Sequence, residues 1–301
     1  MSKPEKPPLL IMHKKSCTRP EVKEAVKGVR NSGQQVEVFI PWTKRDMRRA
    51  IKKYVGKGAA RIIAGGGDGT LNAVVNGLMK KGLNEKVSLG VFPLGTANDF
   101  ARGISVPADN LEAALELACT GAATPIDVGR MNGKYFINVA SGGFGSEITA
   151  TTPQDMKKAL GGTAYTLMGI AKVSKLKPYL CKFTAAGEPP GETAMLVMAV
   201  GNSRYAGGAF DVAPKADLTD GLLDIAVLSE FAPGEVAKVA SELSDPFNET
   251  NQFLLYRQKA SFSIESDRPL HINLDGEPVV GTRFDFDISS GALSVVMGPK
   301  E

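Results

Sequence analysis

The amino-acid sequence predicts a parallel, Rossmann-like α/β domain followed by an antiparallel β-sandwich domain. Strand-like and helix-like segments alternate over about the first 120 residues. After Gly121 closely spaced strand candidates replace that rhythm, and Asn132-Gly133 sits between two of them as the strongest short hairpin signal a sequence offers.

Leu9 to Met12 is the first apolar strand. Thr18 as N-cap, Pro20 in the first turn and Gly33 past the end bracket a helix with apolar positions Val22, Ala25, Val26 and Val29. Val36 to Ile40 is the second strand, and Lys44 to Lys57, capped by Thr43, is an amphipathic helix. Arg61 to Ala64 is the third strand; a helix starting at about Thr70 follows, carrying Leu71, Val74, Val75 and Leu78. Ser88 to Phe92 is the fourth strand, and a helix from about Asn110 to Cys119 stops at Gly121.

Beyond it, strands are expected at 126–131, 134–140, 181–186, 193–200, 222–228, 260–265, 271–274, 283–288 and 292–297, with helices at 154–175 and 233–243. The domains are placed at 1–125 and 126–289, with the tail of about 290–301 able to return to the first. A ligand is expected in the cleft between them.

The chain has 301 residues, 43% of them hydrophobic and 23% charged, enough for about two globular domains. No apolar run reaches the roughly 18 residues of a membrane span, and Leu9 to Met12 is too short for a signal peptide, so a cytoplasmic location is expected. Cys17, Cys119 and Cys181 are isolated and read as ordinary buried thiols. With only His13 and His271, and no G-x-S-x-G elbow, histidine-based hydrolysis is poorly supplied.

Two βα turns carry the chemistry: GGGDGT after the third strand and PLGTANDF after the fourth. In an open parallel sheet, ligands bind beyond the carboxyl ends of the strands. Glycines let a ligand approach backbone amides, and a helix starting in the turn points free N–H groups at an anion. Asp68 and Asp99 would repel a bare phosphate on that rim. Magnesium, which takes oxygen ligands and bridges carboxylates to phosphates, resolves the conflict. The pair of turns therefore reads as a magnesium and nucleotide site. GGGDGT alone could also be only a tight connection, a reading that the presence of PLGTANDF weakens. There is no P-loop, and Thr70 occupies the place of the third glycine in G-x-G-x-x-G.

GGGDGTLN, PLGTANDF, FINVASGGFGSEIT, GNSRYAGGAF, DGLLD and NLDGEP, in that order, resemble the diacylglycerol-kinase catalytic family of lipid kinases, most closely its bacterial YegS-type members. The match spans essentially the whole chain; GGDGT alone is shared with NAD kinases and, more loosely, phosphofructokinases. The resemblance implies ATP-dependent, magnesium-dependent phosphorylation of a lipid hydroxyl, with a nucleotide domain like that of NAD kinase or phosphofructokinase. It implies nucleotide contacts from Gly67, Asp68, Gly69, Thr70, Leu71, Asn72, Ala73 and Thr96, and acidic active-site roles for Asp68 and Asp99. Glu277 corresponds to the proton acceptor. Asp217, Asp220 and the Leu222 backbone correspond to a second, structural magnesium or calcium site, although Asp217, Asp220 and Asp224 could equally form a solvated acidic loop.

Two positions depart from the pattern. Ala73 stands where the family usually has glutamate. The family's nucleotide-contacting threonine aligns with Pro41, and the contact is transferred to Thr43, two residues on.

Net charge is only +4, but Lys44, Arg45, Arg48, Arg49, Lys52 and Lys53 stack in basic rows on one helix, which is either a solvated face or a contact for anionic lipid headgroups. Aromatic residues do not interleave with them, so nucleic acid is not an expected partner; ATP and a lipid at a membrane surface are. An NAD kinase and a catalytically silent nucleotide- or lipid-binding protein are the competing readings. The particular lipid, whether diacylglycerol, phosphatidylglycerol, ceramide or a sphingoid base, depends on pocket shape.

Overall fold

The computed structural model describes residues 6–143, 169–208 and 210–299. Strands β1 (Leu9–Met12), β2 (Glu37–Phe39), β3 (Arg61–Gly66) and β4 (Ser88–Pro93) pair in parallel in the order β4-β3-β1-β2, leaving β2 at the edge. Helices α2 (Pro20–Asn31) and α6 (Leu111–Thr120) pack together, as do α3 (Lys44–Val55) and α4 (Asp68–Met79). β1 is buried along its whole length, as a strand covered on both faces must be. Two short helices, α1 (Lys14–Cys17) and α5 (Asp99–Gly103), follow β1 and the β4 loop.

Several helix starts differ from expectation. Arg19, not Thr18, is the N-cap of α2, because the short α1 claims Thr18 as its C-cap. Helix α4 starts at Asp68 rather than Thr70, with Gly67 as N-cap, which places Asp68 in the first turn at the positive end of the helix dipole. Thr43 does cap α3, its hydroxyl accepting from the Asp46 amide at 3.1 Å.

The second half contains β5 (Ala123–Met131), β6 (Lys134–Phe136), β7 (Val139–Gly143), β8 (Tyr179–Thr184), β9 (Gly191–Gly201), β10 (Tyr205–Ala206), β11 (Phe210–Asp211), β12 (Leu223–Ser229), α7 (Val236–Ser244), β13 (Leu254–Lys259), β14 (Ser261–Leu274) and β15 (Glu277–Val296). The Asn132-Gly133 hairpin forms with both residues at positive φ, 46° and 73°, pairing Met131 with Lys134. The expected strand 134–140 is divided into β6 and β7. The expected strands at 260–265 and 271–274 are one strand, β14, and those at 283–288 and 292–297 are one strand, β15. Most of the helix expected at 154–175, and the end of FINVASGGFGSEIT, lie outside the described residues; residues 169–173 are helical.

Among the described residues thirteen strands join into one hydrogen-bonded sheet. The halves stay connected because β14 and β15 are long and bent, with register shifts between Glu265 and Leu270 and between Ser289 and Leu293. Past its bulge, β15 pairs with β5 and, at Val295, runs parallel to β4 opposite Leu89. Leu293 and Val295 are fully buried in the same apolar cluster as β1, β3 and β4. A second cluster, including Phe136, Phe262 and Phe286, fills the β half; the Phe262 and Phe286 rings stack 4.8 Å apart. Cys119 and Cys181 are buried free thiols, and Cys17 is half-buried.

Candidate active site

The two glycine loops pack directly against each other. A methyl group on Gly95 would lie 2.5 Å from the Gly67 Cα, and one on Gly67 would lie 3.1 Å from the Gly95 Cα. Only glycine permits that approach. The second loop is locked by Asn98, in the left-handed region at φ 52°, whose Oδ1 accepts from the Gly95 amide at 2.8 Å while its Nδ2 donates to the Gly95 carbonyl at 3.0 Å. Arg19 ties down the same loop through Leu94 O at 3.2 Å.

Asp68 and Asp99 meet on this rim. Burial and then the negative charge of Asp99 raise the Asp68 pKa above the usual carboxylate value, partly offset by backbone amides including that of Phe100. Asp99 is itself buried and accepts from the Gly208 amide at 3.1 Å, so GNSRYAGGAF of the β half closes onto PLGTANDF. Two neighbouring carboxylates are the oxygen ligands a hard cation prefers. Among the described residues no three His, Cys, Asp or Glu side chains cluster as a metal site, so magnesium at Asp68 and Asp99 would complete its shell with backbone, water or nucleotide oxygens.

The hairpin between β14 and β15 closes the other side. Gly276, at φ 88°, comes so near Gly69 that a methyl group on it would lie 3.7 Å from the Gly69 nitrogen. Asp275 is buried and accepts from the amides of Ile137, Asn138 and Val139 at 2.7, 3.1 and 3.0 Å, and from Asn72 Nδ2 at 3.2 Å. Burial pushes its pKa up to about 6 against the pull of these donors. Asn72 also donates to Tyr135 O at 3.0 Å, making it a buried brace between α4 and the hairpin. Glu277, the next residue but one after Asp275, pairs with Lys44 of α3 at 2.7 Å.

Between α3 and α4 lies a cavity of about 480 Å³. Gly67, Gly69, Thr70 and Ala73 form one wall, and Pro41, Trp42, Thr43 and Lys44 another. Both Pro41 and Thr43 thus face it, although the Thr43 hydroxyl is engaged with Asp46. Ala73 contributes no carboxylate. Leu71 belongs to the core and Thr96 is exposed on its loop.

Asp217 and Asp220 lie in a separate loop. Asp217 accepts from the Thr219 amide and hydroxyl at 2.9 and 2.7 Å, and Asp220 from the Leu222 amide at 2.9 Å. Burial, then Asp217 and Asp127, raise the Asp220 pKa, while the Leu222 amide opposes them. The side-chain donors are all oxygens, as a magnesium or calcium ion requires, but two turn-bound carboxylates are few. Asp127, which sequence reasoning missed, anchors the loop by accepting from Gly221 N at 2.6 Å and from Gly291 N at 2.7 Å. An aspartate inside the apolar run of β5 was its one visible signal.

Glycine loops at the carboxyl rim of a parallel sheet, two neighbouring acids and a hairpin carboxylate thus meet at one cleft. Residues 7–131 match the diacylglycerol kinase catalytic domain family, and residues 138–297 the YegS C-terminal NAD kinase beta sandwich-like domain. A Pseudomonas aeruginosa protein described as "Probable lipid kinase YegS-like" is 39% identical over 288 residues, covering 95% of this chain and 93% of its own length. The chain therefore belongs to the YegS-like lipid kinase family and is an enzyme of the kinase class. A diacylglycerol kinase structure from Bacillus anthracis shares the fold at TM-score 0.71, with 21% identity and 99% of each chain covered. An NAD kinase from Archaeoglobus fulgidus, solved in complex with ATP, shares it more distantly, at TM-score 0.51 and 11% identity over 96% of this chain and 93% of that one.

Proposed function

We propose that this protein transfers the γ-phosphate of ATP to the hydroxyl of a membrane lipid, with magnesium as cofactor. The observation that carries the proposal is the convergence on one cleft of the packed loops around Gly67 and Gly95, the acids Asp68 and Asp99, and the Gly276–Glu277 hairpin. The family model and the Pseudomonas relative support the lipid-kinase class, and the ATP-bound NAD kinase supports nucleotide binding by this fold.

In this reading the loop amides and the start of α4 receive the phosphates, and the cavity beside Thr43, Gly69 and Ala73 takes the rest of the nucleotide. Asp68 and Asp99 would hold magnesium, which when bound would supply charge neutralisation on the phosphates. Glu277 accepts the proton of the lipid hydroxyl as its oxygen bonds to the γ-phosphorus and the bond to the β-phosphate oxygen breaks, releasing ADP. Lys44 holds the Glu277 carboxylate in place. Asp217, Asp220 and the Leu222 backbone are assigned to a structural cation. Among the described residues no helix is long and apolar enough to cross a membrane, which suits a peripheral enzyme on the cytoplasmic face.

The test is transfer from radiolabelled ATP and magnesium to diacylglycerol, phosphatidylglycerol, ceramide and a sphingoid base, with NAD as a further acceptor. Labelled lipid supports the proposal. Labelled NAD, or nucleotide binding without transfer to any acceptor, overturns it.

A further inference from the structure

Edge strand β2 and the helices beside it carry a surface with a definite chemistry. Val38 of β2, and Ile40 and Trp42 just past its end, are 37%, 38% and 89% exposed. On one flank, Lys23, Lys27 and Arg30 of α2 rim a groove of about 430 Å³ that Val38 and Ile40 help to line. On the other, α3 carries six basic residues against one acid, Asp46, which is engaged by the Thr43 hydroxyl. Among the described residues only Lys44 of those six has an ion-pair partner. The charge surplus of α3 exceeds that of the whole chain, which is +4.

We propose that this surface docks on an anionic bilayer, with Trp42 and Ile40 entering the headgroup boundary and α2 and α3 holding lipid phosphates on either side. Tryptophan favours that boundary because its ring is apolar and its N–H can stay wet. Basic residues near such a surface add to one another's attraction. The exposed apolar side chains distinguish this partner from a nucleic acid, whose backbone would gain nothing from Val38 and Ile40. The Lys14 ammonium lies 5.6 Å from the Trp42 ring centroid, bringing a further cation to the same spot. Trp42 and Lys44 also wall the cleft cavity, so docking would set the cleft against the lipid surface. The proposal deepens the lipid-kinase reading, but docking itself involves no turnover and is measured separately.

Trp42 is the only tryptophan in the chain, which makes the test direct. Purified protein is mixed with phosphatidylcholine vesicles, with or without phosphatidylglycerol, and with matched vesicles whose acyl chains carry bromine. Expected results are cosedimentation with the anionic vesicles alone, quenching of Trp42 by the brominated chains, and release by high salt. Acyl-chain quenching requires contact, so nucleotide in the cavity cannot imitate it. Arg49→Glu with Lys53→Glu should weaken vesicle binding at least about tenfold, since each basic residue near an anionic surface is worth roughly a fivefold factor. Ile40→Asp should reduce the quenching, and thermal melting confirms that both variants fold. No cosedimentation at low salt, binding without quenching, or Trp42 shielded by self-association without lipid would each overturn the proposal.

Discussion

Lys44 and Glu277 meet at 2.7 Å, joining the first turn of α3 to the first residue of β15. The partners are 61% and 40% exposed, so the pair contributes little to stability, about 0–1 kcal/mol. Its consequence is positional. It holds the carboxylate beside the Gly69–Gly276 contact, where an acceptor hydroxyl would approach. Glu277→Ala should abolish phosphoryl transfer, and Lys44→Ala should slow it roughly five- to tenfold, with unfolding free energy moving by less than about 1 kcal/mol in each. Steady-state kinetics and denaturant titration together decide this; full activity in Glu277→Ala removes the proposed proton acceptor.

Asp68 gives the opposite pattern. Its pKa is raised by burial and by Asp99, so its ionised form is a cost to the fold. Asp68→Asn should eliminate turnover while raising the thermal midpoint. A lowered midpoint in calorimetry would mean that the carboxylate is structurally required instead.

Gly95→Ala tests the contact between the loops. Its methyl group would meet the Gly67 Cα and the Asn98 Oδ1 that locks the turn, at 2.5 and 2.8 Å. Overpacking of this kind costs about 1–3 kcal/mol and would separate the two loops. ATP affinity measured by equilibrium dialysis should fall at least about tenfold, and unchanged binding would show that the nucleotide does not need the paired loops.

Asp275 supplies a pH signature. Its pKa rises from 3.8 to about 6 on folding, so the folded state holds a proton that the unfolded chain releases earlier. Its contribution is therefore most favourable below pH 3.8 and declines as pH rises towards about 6, by at most about 3 kcal/mol. Denaturation midpoints across that window should show this component in the native chain and lack it in Asp275→Asn. Asp275→Ala, which strands three buried amides, should be destabilised by several kcal/mol at neutral pH, at about 1–3 kcal/mol for each unsatisfied donor.

The sequence displayed the parallel half clearly because each unit there ends in its own punctuation: Pro20, Thr43, the glycines after β3, Gly121. Long strands were harder to see. β14 and β15 were broken by Asp267, Arg268 and Pro269, and by Ser289, Ser290 and Gly291, where the structure bends the strand instead of ending it. β13 escaped notice because LLYRQK buries Leu254 and Tyr256 while exposing Leu255 and Arg257, a pattern too short to stand out beside charged neighbours. The two glycine loops announced themselves by composition. The support around them did not: Asp275 reads as a wet turn residue, and nothing local reveals that Ile137, Asn138 and Val139 aim their amides at it. Nor could spacing show that Lys44, noticed only as part of a basic row, reaches Glu277 across the cleft.

The last strand has a consequence for how the molecule comes into being. Leu293 and Val295 complete the apolar interior formed by β1, β3 and β4, so the first half of the fold cannot mature until β15, which runs to Val296, has been made. A fragment ending near residue 125 would leave the β4 edge bare. Once paired, the same continuous ribbon is a covalent and hydrogen-bonded tether that runs through both halves.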